Sequence, residues 1–427
     1  MDAERQMQGY SEAVRSGLYA KRTGLVGKYD NVRRYWEDEI TRLFLRPHLQ
    51  NLLDRCRDEV RRLRVMDLGC GSADGYELLT GVRHRDADLN EVEIDLLTPE
   101  VLGCYKGVDL NEDLLKQARD IYDGNPKLLF EQADLTKGVP IGPDEQPFDL
   151  YFASYGTCSH FNEDGMLVNL LADIARRTRN YSVMVCDWLG RYSYEWQSLW
   201  SHDLDTPYNM DYVVSYIYEK EEREERRDEL QHLTLRLMSQ AEAKRIFAKA
   251  SELSGIEIKP LLFFDRSAFS GRHMDTGEYN SHAQPIREAL NSLHEINVRT
   301  NLNTLLIDYV PKDGFEELNS YFEHFQMCWN AVVNFVDELL HAYDRNSCSF
   351  GSVLPNIPSS YPDPLPRLME RMRGVVEGVG WLEHGLPREN IIEPQLGYAL
   401  RTLEMSLQRG GACAHGFGCI LEIDKSR

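Results

Sequence analysis

Nowhere in the 427 residues does an apolar run approach the ~20 that a membrane-spanning helix needs. The opening residues, MDAERQMQGYSEAVRSG, lack the apolar stretch of a signal peptide. Both absences lead us to expect a soluble, cytoplasmic chain with no membrane partner. Positive charge is scarce too. The 48 Lys and Arg face 69 Asp and Glu, for a formal net charge of −21. Nucleic-acid binding relies on cations that neutralise phosphates, so no nucleic-acid partner is expected. Only residues 1–64 are basic, with 14 Lys and Arg against 10 Asp and Glu; they either meet an anionic ligand group or coat a solvated helix. The nine cysteines include no Cys-x-x-Cys, and an odd count without a secretion signal indicates reduced thiols. Cys413, His415 and Cys419 fall short of the four ligands of a zinc site, so a turn and strand with buried thiols is expected there. His84, Asp86 and Asp88 alternate within a polar insertion and read as a solvated loop. No metal is expected, and no internal repeat is present.

What is present is organised around residues 63–76, LRVMDLGCGSADGY. A short apolar strand (Val65, Met66, Leu68) runs through Asp67 into Gly69-Cys70-Gly71-Ser72, and a helix starts near Gly75. Glycines accept positive φ and present no Cβ, so such a turn lets a ligand approach the backbone.

The rest of the chain follows in order. Residues 1–28 are polar and read as a mobile arm or lid. Val32, Trp36, Ile40 and Leu43 recur at helical spacing, and Pro47 suits the first turn of a second helix. Further strands are expected over 105–109, 128–134, 148–154 and 182–188, with helices between. Strands alternating with helices imply a parallel sheet whose strand ends share one edge. Residues 191–238 read as a β-hairpin cap inserted in that domain, and 265–302 as a loop and helix insertion. Strands are expected over 256–264 and 303–310. The expected division is 1–60 for the arm and helices, 61–311 for the parallel domain, and 312–427 for a mainly helical accessory or dimerisation domain. The aromatic-rich helix of that last part is compatible with a homodimer.

Acidic residues recur at the strand ends. The first strand ends in Asp67-Leu68-Gly69-Cys70-Gly71, the second in Asp109-Leu110, the third in Asp134-Leu135 and the fourth in Ser154-Tyr155-Gly156. Three carboxylates at successive strand ends suit a ligand with an amine, a ribose and an adenine. The segments VMDLGCGSADG (65–75), YKGVDLNEDLLKQAR (105–119), EQADL (131–135) and FDLYFASYGTCSHF (148–161) resemble the seven-stranded Rossmann-like methyltransferases that use S-adenosylmethionine. The turn lacks the third glycine of the dinucleotide fingerprint, since Asp74 stands there, which favours S-adenosylmethionine over NAD. The resemblance implies that Gly69, Cys70, Gly71 and Ser72 line the methionine portion. It places Asp109 with Leu110 at the ribose and Asp134 with Leu135 around the adenine. Ser154 and Tyr155 flank the sulfonium, and Asp67 orders the loop or meets the cofactor amine. Tyr29 and Arg33 would close over the site, unless Tyr29 only packs against the sheet.

Methyl transfer from a sulfonium needs mainly positioning, and a hydroxyl acceptor also benefits from a base. His160 is the first base candidate, followed by His273, Asp275 and Tyr279. Tyr192, Tyr194 and Trp196 form either an aromatic wall for the acceptor or ordinary cap packing. The expected activity is methylation of an oxygen, nitrogen or carbon of a small molecule, in specialised metabolism. Two alternatives stay open: a protein or carrier-bound acceptor, and a non-catalytic S-adenosylmethionine-binding scaffold.

Overall fold

The computed structural model describes residues 11, 14, 29–86, 92–218, 220–346, 355–379 and 385–425. The expected arm over 1–28 therefore lies outside the described residues except for Ser11 and Val14, as does Asp88 of the polar insertion. Among the described residues no helix is long and apolar enough to cross a membrane.

Among the described residues eleven strands form: β1 (Leu63–Leu68), β2 (Arg83–Asp86), β3 (Val92–Asp95), β4 (Leu102–Asp109), β5 (Leu128–Gln132), β6 (Leu150–Phe152), β7 (Tyr181–Gly190), β8 (Tyr208–Val213), β9 (His232–Met238), β10 (Ile258–Arg266) and β11 (Gly416–Asp424). The main sheet runs β10-β11-β7-β6-β1-β4-β5. Strands β5, β4, β1, β6 and β7 are parallel. β11 is antiparallel to both β7 and β10. The alternation of strands and helices led to the expected parallel sheet, and the seven-strand path is the Rossmann-like α/β core that the resemblance implied. Right-handed crossovers leave the carboxyl ends of the parallel strands on one edge. β8 and β9 form the expected antiparallel cap hairpin, and β9 is anchored to the end of β7 through Leu189↔Leu237 and Gly190↔Met238.

The parallel strands are apolar on both faces because both are covered. Val65, Phe152 and Val185 belong to one core, whereas Met66, Tyr151 and Met184 belong to the other. Helix α1 (Asp38–Asp58), which follows a π-helical turn over Arg33–Glu37, packs in the first core. Helices α2 (Asp74–Thr80) and α3 (Glu112–Ile121) follow β1 and β4, and Asn111 caps α3 by accepting from Asp113 and Leu114. Helices α4 (Asp164–Arg177) and α5 (Gln240–Ser254) cover the second core; Ser239 and Glu242 form the capping box that starts α5. Helix α6 (Ile286–Ser292) lies in the 265–302 insertion. Helices α7 (Glu316–Asn346), α8 (Leu365–Gly378) and α9 (Glu393–Leu407) extend the first core, where Trp329 meets Trp36 at 5.7 Å.

Three expectations are corrected. Pro47 does not begin a second helix: it sits inside the continuous α1, whose buried Ile40, Leu45, Leu49 and Leu52 compensate for the lost hydrogen bond. Residues 303–310 are not a strand. Their amides are satisfied by side chains instead: Ile307 by Asn330 Oδ1 (2.9 Å), Asp308 by Gln284 Oε1 (2.9 Å) and Tyr309 by Gln326 Oε1 (2.5 Å). The sheet position they were expected to fill belongs to β11, at the end of the chain, so the expected boundary at 311 separates that strand from the sheet it completes. The polar insertion after β1 is a β2–β3 hairpin rather than a loop.

Removing residues 412–427 takes a strand from inside the sheet. The truncated chain is therefore expected to lose cooperative urea unfolding, which an independent 61–311 core would keep. The fully buried Ile420, replaced by Ala, is expected to cost about 2–5 kcal/mol in the same circular-dichroism measurement.

Candidate active site

The turn after β1 is built on left-handed backbone. Gly69 has φ +66° and Gly71 φ +54°, and a Cβ on Gly69 would sit 2.6 Å from Thr157 Cγ2, so the turn and the loop after β6 close on each other only through glycine. Asp67 faces away from this surface. It is fully buried, accepts from the Tyr105 hydroxyl, and backs onto Gly75, where a Cβ would lie 2.3 Å from its Oδ2. It orders the loop and does not reach the cavity. Ser72 likewise turns its Oγ to Gln117 Oε1, 2.9 Å away.

At the end of β4, Asp109 is pinned by the amides of Gly71 and Asn111, both at 2.8 Å. Past β5, Asp134 accepts from the Thr136 hydroxyl at 2.6 Å and from its amide at 3.0 Å. The Thr136 hydroxyl, aided by Lys137, holds this carboxyl below its usual range, so it is ionised at neutral pH. After β6, Tyr155 takes a left-handed φ of +54°, and its hydroxyl donates to Asp38 Oδ1 at 3.0 Å. Arg33 stacks over the Tyr155 ring at 3.8 Å and over Tyr29 at 4.5 Å, and it pairs with Asp74 at 3.5 Å. Tyr29 is packed beneath Arg33 with its hydroxyl on Asp74, so of these two only Arg33 borders the cavity. Burial pushes the Cys70 thiol well above its ordinary pKa, which leaves it neutral.

These loops open on one cavity of about 540 Å³. Gly69, Cys70, Gly71, Asp109, Leu110, Asp134, Leu135, Ser154 and Tyr155 line one part of it. The other part lies under the cap, with Trp188, Leu189, Tyr212, Tyr216, Leu233 and Leu235 as apolar wall and Glu37, Asp187, Arg266, Arg272 and His415 as polar wall. Arg266 pairs with Asp187 across β11.

Of the four base candidates, only His160 borders this cavity. Burial lowers its pKa to about 4, so the ring is neutral at physiological pH and weakly basic. His273 is fully buried between Tyr212, Tyr279 and Tyr216, with ring centroids at 4.8, 5.0 and 5.8 Å, and its Nδ1 lies 3.1 Å from Thr276 Oγ1. Asp275 accepts from the Arg287 amide at 3.1 Å, and burial raises its pKa to about 7. The Tyr279 hydroxyl takes the Val213 amide (2.6 Å) and donates to the Asp211 carbonyl (2.8 Å), stitching the cap down. None of these three borders the cavity. Tyr194 packs on Phe269 and Tyr309, and Trp196 donates to the Gly190 carbonyl at 2.8 Å, so the aromatic wall comes from the cap hairpin instead. The C-terminal cluster divides: His415 turns to Glu195, while Cys413 and Cys419 lie in opposite cores.

Sequence reasoning missed Glu37, Asp187, Arg266, Arg272 and His415 as site residues. Asp187 and Arg266 carried a readable signal, since both stand near the carboxyl ends of strands. For Glu37, Arg272 and His415 no local signal exists.

No family model matches this chain, and no curated protein matches it. Solved structures do. A S-adenosylmethionine-dependent methyltransferase from Clostridium acetobutylicum ATCC 824 is 11% identical, with 54% of this chain and 83% of that one covered and a TM-score of 0.33. A S-adenosylmethionine-dependent methyltransferase from Mesorhizobium loti is 16% identical over 51% of this chain and 82% of that one, with a TM-score of 0.29. An amino pentose methyltransferase from Micromonospora echinaspora, solved with S-adenosylmethionine bound, is 13% identical over 50% of this chain and 84% of that one, with a TM-score of 0.29. Likeness this distant says nothing of an acceptor.

A histidine whose folded pKa is depressed is neutral above that value. The His160 ring is therefore expected to show no titration between pH 5.5 and 8 when its ring-proton shifts are followed by NMR, and to protonate near pH 4. A midpoint near 6.5 would contradict its burial.

Proposed function

We propose that the chain is a S-adenosylmethionine-dependent methyltransferase acting on a small-molecule acceptor. The observation that carries this reading is the single cavity that joins the carboxyl-edge loops to the underside of the cap. The loop half suits the cofactor. Gly71 has no atom within 4 Å of its Cβ position, which leaves room for a ligand against the backbone. Asp109 at the end of β4 would accept ribose hydroxyls, and Asp134 would accept an adenine amine. Leu110 and Leu135 supply apolar faces for the base. Gly69, Cys70 and Gly71 would hold the amino-acid end, with Arg33 and Asp74 nearby. Bound there, the cofactor supplies an activated methyl group on a sulfonium. The protein then contributes position and exclusion of water. Ser154 and Tyr155, which line the loop half, would set the line of transfer. The cap residues Tyr212, Tyr216, Leu233 and Leu235 would seat the acceptor's apolar body. The enclosure by the hairpin favours a compact acceptor over a protein.

Isothermal titration is expected to give 1:1 binding of S-adenosylmethionine and no heat with NAD. Asp109→Ala should weaken that binding by about tenfold or more, the equivalent of ~1.4 kcal/mol for lost hydroxyl contacts. Absence of S-adenosylmethionine binding to the full chain would sink this reading.

A further inference from the structure

Glu195 lies in the 3-10 turn Tyr194–Leu199 that follows β7, and it is fully buried. Its Oε2 accepts from the His273 amide at 2.6 Å, and Ser193 Oγ stands 3.5 Å from Oε1. His415 Nδ1 faces both oxygens, at 3.0 and 3.1 Å. The chain makes room for this carboxylate at Gly271, where a Cβ would fall 1.5 Å from Oε1. Among the described residues, the ion-pairing partner of Glu195 is His415 and no Lys or Arg.

A carboxylate is an acceptor only, so the shared proton sits on Nδ1 of His415 and the lone pair is left on Nε2. His415 also borders the cavity, one residue before β11 and beside the end of β7. A buried carboxylate is costly without a cation next to it. A proton arriving at Nε2 turns the pair into imidazolium and carboxylate, which is the logic of an oriented histidine base. We infer that His415 is the general base of the transfer, that Glu195 positions it, and that the acceptor atom is a hydroxyl oxygen on a small molecule whose apolar body lies against the cap.

This rests on the transferase reading above. In the step, the acceptor oxygen's lone pair forms the new O–C bond to the methyl. The C–S bonding pair stays on sulfur as a neutral thioether, and the hydroxyl proton passes to Nε2 of His415. The charged and titratable groups around His415 are Glu195 below it, Glu37 from the N-terminal turn, Asp187 from β7, Arg266 from β10, and Arg272 and His273 from the insertion. His160, neutral and weakly basic, is a hydrogen-bonding wall rather than a competitor.

Two measurements test this on the full chain. In 15N-histidine NMR, His415 is expected as the Nδ1–H tautomer, and Gly271→Ala, which displaces Glu195, is expected to abolish that preference. A wild-type ring protonated on Nε2 overturns the dyad without reference to any acceptor. The second measurement follows labelled methyl from S-adenosylmethionine into a small-molecule extract. His415→Gln should lower transfer by about 10²–10⁴-fold while leaving cofactor affinity by calorimetry unchanged, and imidazole should partly restore His415→Ala. Gly271→Ala should reduce the rate and move its pH profile, with the cofactor still bound. Unchanged transfer by His415→Gln, or label recovered on nitrogen or carbon, overturns the inference. Loss of cofactor binding by the wild-type chain would instead overturn the transferase reading, so the two failures are distinguishable.

Discussion

One buried guanidinium holds the site together. Arg287, on α6, grips Asp30 with two bonds, Nε to Oδ2 at 2.6 Å and Nη2 to Oδ1 at 2.8 Å. Its Nη1 reaches Glu37 Oε1 and the Ser270 carbonyl, both at 2.7 Å. All three charged groups are buried. The guanidinium, with Arg272 and Arg266, holds the Glu37 carboxyl well below its usual range despite its burial. Such a network adds little net stability over an apolar substitute, yet it tolerates no missing member, since an orphaned buried charge costs about 3–5 kcal/mol. Its consequence is positional. It locks the start of the N-terminal helix to the 265–302 insertion, and with them Glu37, Gly271 and Arg272 on the same side of the cavity.

The sheet supplies the other constraint. Parallel pairing of five strands puts the β1, β4, β5 and β6 loops on one edge. Tyr155, a non-glycine residue, is held left-handed there, and Thr157 leaves no room for a Cβ on Gly69. The cap grows from the same edge, because β9 continues the hydrogen bonding of β7 at Leu189 and Gly190. The edge loops and the cap walls therefore line one cavity. The tail strand β11 then brings His415 to the edge from the far end of the chain, next to Asp187 and Arg266.

The first half of the site was legible because its residues are local. A strand, a glycine turn and a helix within residues 63–76 leave the backbone few conformations, and Asp109, Asp134 and Ser154 each end an apolar run. Asp67 shows the limit of that reading: a carboxylate at a strand end either meets ligand or braces the turn, and only the Tyr105 hydroxyl and the approach of Gly75 decide for bracing. His273, Asp275 and Tyr279 sit on a polar loop and looked chemical. Tyr279 and Asp275 instead accept backbone amides, and the buried His273 turns its Nδ1 to the Thr276 hydroxyl.

From its own sequence the chain determined the alternation of strands and helices, the glycine turn and the carboxylates at the strand ends. These depend on periodicity and local backbone freedom, which neighbouring residues carry. Tertiary structure alone decided that β11 rather than 303–310 completes the sheet, and that Glu195 faces His415 across 220 residues of chain. Strand partners and buried ion pairs are selected by which surfaces meet once apolar faces are covered, and no local pattern encodes that choice.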